Sequence, residues 1–136
     1  MPLFLTDRLG GTVCLLHIGW RGLSAGVIEK GLDVLNIEPQ ELLAWVGPGI
    51  GPDSFVVGSD VREKLIRQCS LHREGFSKHN DRWLADLGLM IEQRLELAGV
   101  EAIGRSKHCT SKDPSAWFSY RRDGRCGRMA SLIWLD

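Results

Sequence analysis

The segment that most restricts the fold is an apolar run that ends in a glycine-rich turn. Residues 12–17, Thr-Val-Cys-Leu-Leu-His, are apolar on both faces through Leu16, which predicts a strand in the interior of a sheet. Gly19 and Gly22 follow at once around Trp20-Arg21, so the chain must leave the sheet through a tight connection. A strand that opens into such a turn and then into a helix is typical of layered domains of mixed α/β or α+β class.

The other elements are predicted from hydrophobic periodicity and from the residues that begin and end helices. A second strand, Leu3-Phe4-Leu5, forms a hairpin with residues 12–17 through Gly10-Gly11. Three helices are expected, from Ser24 to about Leu35, from Asp60 onward, and from Asp86 to Gly99. Further strands are expected at 42–46, 100–103, 118–120 and 129–135. Residues 129–135 are apolar to the end, so this last strand is expected to be held in the sheet. The fold class is therefore α/β, with mixed α+β layers in a single domain over residues 1–136.

Composition excludes several classes of protein. The formal net charge is +0, which gives no electrostatic attraction to nucleic acid or to an anionic membrane. No apolar run is long enough to span a bilayer, and residues 1–7 lack the basic start of a signal peptide. The four cysteines show no CxxC spacing, so they are expected to be reduced thiols in a cytoplasmic protein.

His17 is the first candidate for chemistry. The end of a strand beside a helix N-terminus favours binding of an anion. Arg21 adds a permanently charged guanidinium that can bind phosphate or carboxylate. An equally good interpretation is that His17 is a hydrogen-bonded histidine of the core and that the neighbouring glycines only allow the chain to turn. A metal site within this chain is not expected, because Cys14 lies an odd number of positions from His17 and points to the opposite face. His72 and His79 lie in a charged stretch and are expected to be solvated.

A second candidate is the arginine-rich stretch near the C-terminus. Residues 118–128 hold four arginines beside two aromatic residues, which indicates either an anion pocket or a solvated hairpin. If the stretch is a strand, alternation sends Arg121 and Arg122 to opposite sides. At least one of them should then point inward and meet an anion.

These segments resemble the YfiH family, whose older name is laccase-like or multicopper polyphenol oxidase. His17-Ile18-Gly19-Trp20-Arg21-Gly22 is similar to its His-Ala-Gly-Trp-Arg-Gly motif, and residues 44–52 are similar to its Ala-Trp-Leu-Gly-Pro-Ala-Ile-Gly-Pro loop. Four more motifs match in order over the rest of the chain: Asp86-Leu87, Cys109-Thr110, Phe118–Gly124 and Gly127–Ala130.

The resemblance implies a metal enzyme, usually with zinc held by His, Cys and His. His17 corresponds to the second histidine, and the other two ligands precede the segment that this chain resembles. The chain is therefore expected to be an N-terminally truncated, C-terminal portion of the family fold, with an incomplete zinc site. The resemblance implies phosphorolysis of purine nucleosides and deamination of adenosine, that is, transferase and hydrolase chemistry, and a role in peptidoglycan editing. Arg21, with Arg121 or Arg122, is the candidate group for phosphate.

Three alternatives follow from the missing ligands. The chain could be a metal-dependent purine nucleoside phosphorylase or adenosine deaminase, impaired because two of three metal ligands are absent, or a non-catalytic remnant that serves as an interaction domain. A copper-dependent polyphenol oxidase is the weakest alternative, because scattered histidines give no copper cluster. A truncated fold would also leave strands without neighbours, so self-association is expected.

Overall fold

The computed structural model describes residues 1–136 and contains two β-sheets with helices packed against them. The larger sheet has four strands in the order β2-β1-β3-β7, and the smaller has three in the order β4-β6-β5. The strands are β1 (Pro2–Asp7), β2 (Val13–His17), β3 (Leu42–Val46), β4 (Val56–Val57), β5 (Phe76–His79), β6 (Arg82–Ala85) and β7 (Ala102–Arg105). The helices are α1 (Trp20–Ser24), α2 (Val27–Leu35), α3 (Ser59–Gln68), α4 (Leu87–Leu97) and α5 (Tyr120–Asp123). The mixed α/β class is confirmed, and no helix has the length and apolar character needed to cross a membrane.

The predicted N-terminal hairpin is confirmed. Strands β1 and β2 pair antiparallel, with Leu3 opposite Leu16 and Leu5 opposite Cys14. The carboxylate of Asp7 accepts hydrogen bonds from the backbone N–H groups of Gly11 and Thr12, which closes the turn. The hairpin brings His17 back beside the first residues of the chain.

The prediction that β2 lies inside the sheet is wrong. It is an edge strand, because β1 lies on one side of it and no strand pairs with the other. Its alternate residues Cys14 and Leu16 pack against the core, whereas Leu15 faces the open side and is 36% exposed. Apolar residues on both faces of β2 therefore do not mean that both faces are covered. The face that carries Leu15 is open, and Phe4 and Trp45 of the neighbouring strands lie on the same face.

The core lies between one face of the larger sheet and the helices. Strand β3 alternates regularly, since Leu42, Ala44 and Val46 are buried and the two residues between them are exposed. Helix α4 contributes several of the most deeply buried side chains: Met90, Ile91 and Leu95. Its predicted ends are confirmed, because Asp86 accepts a hydrogen bond from Leu89 N–H and Gly99 has a φ of +91°.

The helix predicted from Ser24 to Leu35 is divided in two. Gly26 adopts a left-handed conformation with φ of 75°, which separates α1 from α2. Ser24 is the last residue of α1 rather than a cap, and its hydroxyl donates to the carbonyl of Arg21. The helix predicted from Asp60 is confirmed with a start one residue earlier, at Ser59.

Two strands predicted near the C-terminus are wrong. Residues 118–120 do not form a strand, and Tyr120–Asp123 is a short helix. Residues 129–135 have no regular structure, and no backbone hydrogen bond joins residues 125–136 to either sheet. Leu132 and Trp134 are 72% and 73% exposed, so this apolar segment is not held in the sheet. A strand requires a partner as well as suitable residues, and neither β2 nor β7 pairs with it.

The prediction that His72 is solvated is wrong. It lies in the 3₁₀-helix Ser70–Gly75, between α3 and α4, and is 0% exposed. Its Nδ1 lies 3.1 Å from the carbonyl oxygen of Leu65, whereas Nε2 has no partner. His79 is exposed, as predicted.

This burial predicts a loss of stability in mild acid. Burial lowers the pKa of His72, and the hydrogen bond to Leu65 compensates only in part, so the pKa stays below its usual 6.5. Below about pH 6.5 His72 binds a proton in the unfolded chain but stays neutral in the folded chain. The free energy of unfolding should therefore fall as the pH falls. Urea unfolding at pH 7.5 and 5.5 measures this. The drop should be smaller in His72→Gln and unchanged in the exposed control His79→Gln, and an equal drop in all three proteins would refute it.

Candidate functional site

Two adjoining cavities lie on either side of the loop Gly47–Pro52, each with a volume of about 450 Å³. We call them the His17 cavity and the Cys109 cavity. They share four lining residues: Met1, Gly49, Ile50 and Trp117. The His17 cavity is also lined by Pro2, Leu15, Leu16, His17, Pro48, Thr110, Met129, Ala130 and Ser131. The Cys109 cavity adds mainly charged and polar residues: Asp53, Asp86, Arg105, Ser106, Lys107, His108, Cys109, Lys112 and Asp113.

The glycine-rich loop between the cavities is held by its backbone. Gly47 N–H donates to the carbonyl of Pro2 at 2.8 Å, which continues the pairing of β3 with β1. Gly49 forms a β-bridge with Cys109, and Thr110 N–H donates to the Gly49 carbonyl at 2.9 Å. Two segments that are distant in sequence therefore meet at one place, and both belong to the motifs that carry the family resemblance.

His17 lies at the end of β2 and faces the cavity named after it. Its ring makes no hydrogen bond within the chain. Loss of solvation lowers the pKa of His17, and the positive charge of the Met1 α-ammonium lowers it further. The neutral imidazole is therefore favoured, and a neutral imidazole can accept a proton or bind a metal. No arginine is among the residues that line this cavity, although one was expected within reach.

The residues of this chain do not fit a metal centre. The His17 cavity has no second histidine, cysteine or carboxylate among its lining residues. No group of three such side chains anywhere in the chain could hold an ion. Cys14 packs against the core on the other face of β2, as alternation predicts. A catalytic zinc requires three protein ligands, and this chain supplies one candidate.

The three arginines proposed for phosphate are not brought together. Arg21 is exposed and lies over the ring of Trp20, 4.5 Å from its centroid. Arg121 lies over the ring of Phe55 at 5.4 Å. None of the three lines either cavity. Because residues 120–123 are helical, the alternation argument does not apply to them.

Arg122 has a structural role. Its guanidinium donates to three backbone carbonyls, those of Thr110, Ser111 and Trp117, and pairs with Asp123 at 2.6 Å. The charge of Arg122 is therefore already paired with a carboxylate of the chain itself. These bonds tie the Cys109-Thr110 motif to the arginine motif.

Cys109 has a polar environment that its local sequence does not predict. Its sulfur accepts a hydrogen bond from Gly51 N–H at 3.1 Å and contacts the hydroxyl of Ser54 at 3.7 Å. Burial alone would raise the pKa of the Cys109 thiol, but N–H donors from Gly51 and Ser111 outweigh it and keep the pKa below its usual value. No local sequence signal predicts this, because the contacts from Gly51 and Ser54 come from a loop more than 50 residues away.

This environment predicts that Cys109 is the most reactive of the four thiols, all of which are free. A lower pKa leaves more thiolate at neutral pH, and the thiolate is the nucleophile. Limited alkylation with iodoacetamide at pH 7, followed by peptide mass spectrometry, should modify Cys109 first. Cys14 should react last, because burial raises its pKa. Faster modification of Cys14 than of Cys109 would contradict the prediction.

The comparisons with known proteins identify the family. The family model described as multi-copper polyphenol oxidoreductase laccase matches residues 1–136, so the chain belongs to this family. The predicted resemblance to YfiH proteins is confirmed. The chain is 43% identical over 135 residues to purine nucleoside phosphorylase YfiH of Escherichia coli, and 42% identical over 138 residues to purine nucleoside phosphorylase PA4543 of Pseudomonas aeruginosa.

Solved structures have the same fold over nearly the whole chain. Neisseria meningitidis protein NMB0706 is 39% identical with a TM-score of 0.96, over 99% of this chain and 56% of that one. Bacillus licheniformis protein YfiH is 29% identical with a TM-score of 0.82, over 90% of this chain and 49% of that one. The chain likewise spans 56% of the length of the E. coli protein. It therefore matches about half of each of these proteins.

Proposed function

We propose that this chain carries the nucleoside-binding part of a purine nucleoside phosphorylase. The observation that carries the proposal is the pair of adjoining cavities around the loop Gly47–Pro52. Their walls come from the motifs of His17, Cys109-Thr110 and Met129-Ala130, which match the family in order. The similar bacterial proteins bear the name of that activity.

Phosphorolysis places simple demands on such a site. Inorganic phosphate attacks C1′ of the ribose, the bond from C1′ to the purine nitrogen breaks, and the purine leaves with the bonding electrons and gains a proton. The site must therefore hold a neutral nucleoside beside a multiply charged anion. The His17 cavity offers an apolar wall with the hydroxyls of Thr110 and Ser131, a combination that suits a nucleoside.

Of the three candidate arginines, we propose Arg21 for the phosphate. Its guanidinium has no carboxylate or carbonyl partner, and it follows His17 by four residues at the start of α1. Arg122 donates to backbone carbonyls and to Asp123, and Arg121 donates to the carbonyl of Val56 at 3.5 Å, whereas Arg21 has only its contact with the ring of Trp20. Arg21 is therefore the one that can move to a ligand at little cost.

We favour phosphorolysis over deamination for this chain. Attack of water on the purine would require a metal held by several donors, and the only candidate ligand in the His17 cavity is His17 itself. For the same reason we expect zinc to bind this chain weakly and without a fixed stoichiometry. The four free thiols fit a reducing compartment, and we propose a cytoplasmic location.

The test is phosphate-dependent release of hypoxanthine from inosine by the purified chain, with and without added zinc. Slow release that requires phosphate and is lost in Arg21→Ala would support the proposal. Arg67→Ala is a control, since this exposed arginine lies in the last turn of α3 and belongs to none of the motifs that match the family. Absence of both turnover and nucleoside binding would instead favour the alternative, an interaction domain that keeps the fold without the site.

A further inference from the structure

We propose that the indole of Trp117 is the surface on which the purine base stacks. The inference rests on the proposed function, because it concerns how the same site would recognise its nucleoside. Trp117 lines both cavities and is the only tryptophan, tyrosine or phenylalanine that lines either. It is half-buried, so part of its ring is open to a ligand.

The absence of charge on a purine base favours stacking as its mode of binding. A purine base is neutral near pH 7, so ion pairs cannot hold it, and a flat aromatic ring is the usual protein surface for a base. The only other ring at the Cys109 cavity is the imidazole of His108, which lies against Trp117 with centroids 5.9 Å apart and planes at 45°. This tilted contact supports the indole from one side.

The backbone of Trp117 is held in place from two directions. Its N–H donates to the carbonyl of Asp113 at 3.1 Å, and its carbonyl accepts from the Arg122 guanidinium at 2.9 Å. The same guanidinium donates to the Thr110 carbonyl at 3.3 Å, and Thr110 N–H is bonded to Gly49 of the loop between the cavities. A chain of hydrogen bonds therefore fixes the backbone of Trp117 relative to the loop before a ligand arrives, which reduces the entropy lost on binding.

Trp117 carries no local sequence signal that marks it as a binding residue. Trp117 lies in an irregular stretch between Cys109-Thr110 and the arginine motif, and the sequence contains four other tryptophans. Only the folded chain places one of them between two cavities. Trp83, also half-buried, is a matched control because it lines neither cavity and lies under Arg62 and Lys78.

The experiment measures binding of inosine by equilibrium dialysis to the wild-type chain and to Trp117→Ala, Trp117→Phe and Trp83→Ala. Loss of one base-stacking contact should weaken binding about 5- to 150-fold in Trp117→Ala. Trp117→Phe should bind within about threefold of wild type, because a flat ring remains. Trp83→Ala should bind as wild type does. In a parallel fluorescence titration, inosine should quench wild-type tryptophan emission and not that of Trp117→Phe.

The outcomes separate this inference from the proposed function. If the wild type binds inosine and a folded Trp117→Ala binds equally well, the stacking role is wrong and the proposed function stands. If the wild type does not bind inosine, the proposed function fails and the stacking role with it. Circular dichroism melts show whether each variant is folded, and Trp117→Phe keeps the test valid if the alanine variant is not. Quenching that persists in Trp117→Phe would also overturn the stacking role.

Discussion

Replacing Gly47 by alanine is expected to destabilise the chain by about 1–3 kcal/mol and to open the loop between the two cavities. A Cβ atom at this position would lie 2.7 Å from Cγ of Pro2 and 2.9 Å from Cε2 of Phe4. Both are ring atoms of β1, so they cannot move aside as the end of a flexible side chain could. The Gly47 N–H bond to Pro2 would have to lengthen, and the loop would shift away from the sheet.

Gly11→Ala is the matched control for Gly47→Ala. Gly11 lies in the β1–β2 turn, and its nearest neighbour would be the carboxylate of Asp7 at 3.4 Å, an ordinary contact. Thermal unfolding followed by circular dichroism compares the two variants with wild type. A loss of 1–3 kcal/mol corresponds to a decrease in Tm of roughly 3–11 °C for a domain of this size. An unchanged Tm for Gly47→Ala would contradict the close packing of the loop on β1.

Self-association is the second large effect that we expect. The edge of β2 is unpaired, and the apolar segment 129–135 forms no backbone hydrogen bond with either sheet. The open face of the larger sheet carries the rings of Phe4 and Trp45, which make a tilted contact with centroids 5.3 Å apart, and Trp45 is 45% exposed. Unpaired edges and exposed apolar surface favour association between chains.

Sedimentation velocity over a range of protein concentrations tests this expectation. Wild type should shift from monomer to larger species as concentration rises, and the double variant Leu132→Glu, Trp134→Glu should remain monomeric to higher concentration. Val34→Glu is the control, because Val34 is 85% exposed on α2, away from the open face, and its replacement should change nothing. A wild type that stays monomeric throughout would show that these surfaces do not associate.

The parts of the fold that could be predicted are those encoded by nearby residues. Helix α4 has its cap at Asp86, its apolar stripe and its glycine stop within one stretch of sequence. The β1–β2 hairpin is similarly local, with Gly10-Gly11 between two apolar runs. In both cases the forces that define the element act over a few residues, so the pattern alone was sufficient.

The errors concern partners that are distant in sequence. Residues 129–135 have the composition of a strand, but no edge of a sheet pairs with them. The charged stretch around His72 was expected to be solvated, whereas packing between α3 and α4 buries the ring completely. Strand pairing and burial are settled by the whole fold, which local patterns do not contain.

The candidate site shows the same division. The sequence indicated His17 as a candidate and the loop Gly47–Pro52 as a motif of the family, and the structure brings them to one cavity. The sequence could not show that Arg122 donates hydrogen bonds to the carbonyls of Thr110 and Trp117, because those bonds depend on the helical turn at 120–123. Charge and spacing identify residues able to bind an anion, and only the folded chain shows which of them are already in use.

The central claim, that the two cavities form a nucleoside site, is tested most directly by a chemical-shift titration. Inosine would be added to ¹⁵N-labelled protein and followed in ¹H–¹⁵N correlation spectra. We predict that the largest shifts occur at the backbone amides of Gly49, Ile50 and Thr110 and at the indole N–H of Trp117. Saturable shifts at those positions, absent from the β5–β6 hairpin, would support the claim. No shifts, or shifts centred on another surface, would contradict it.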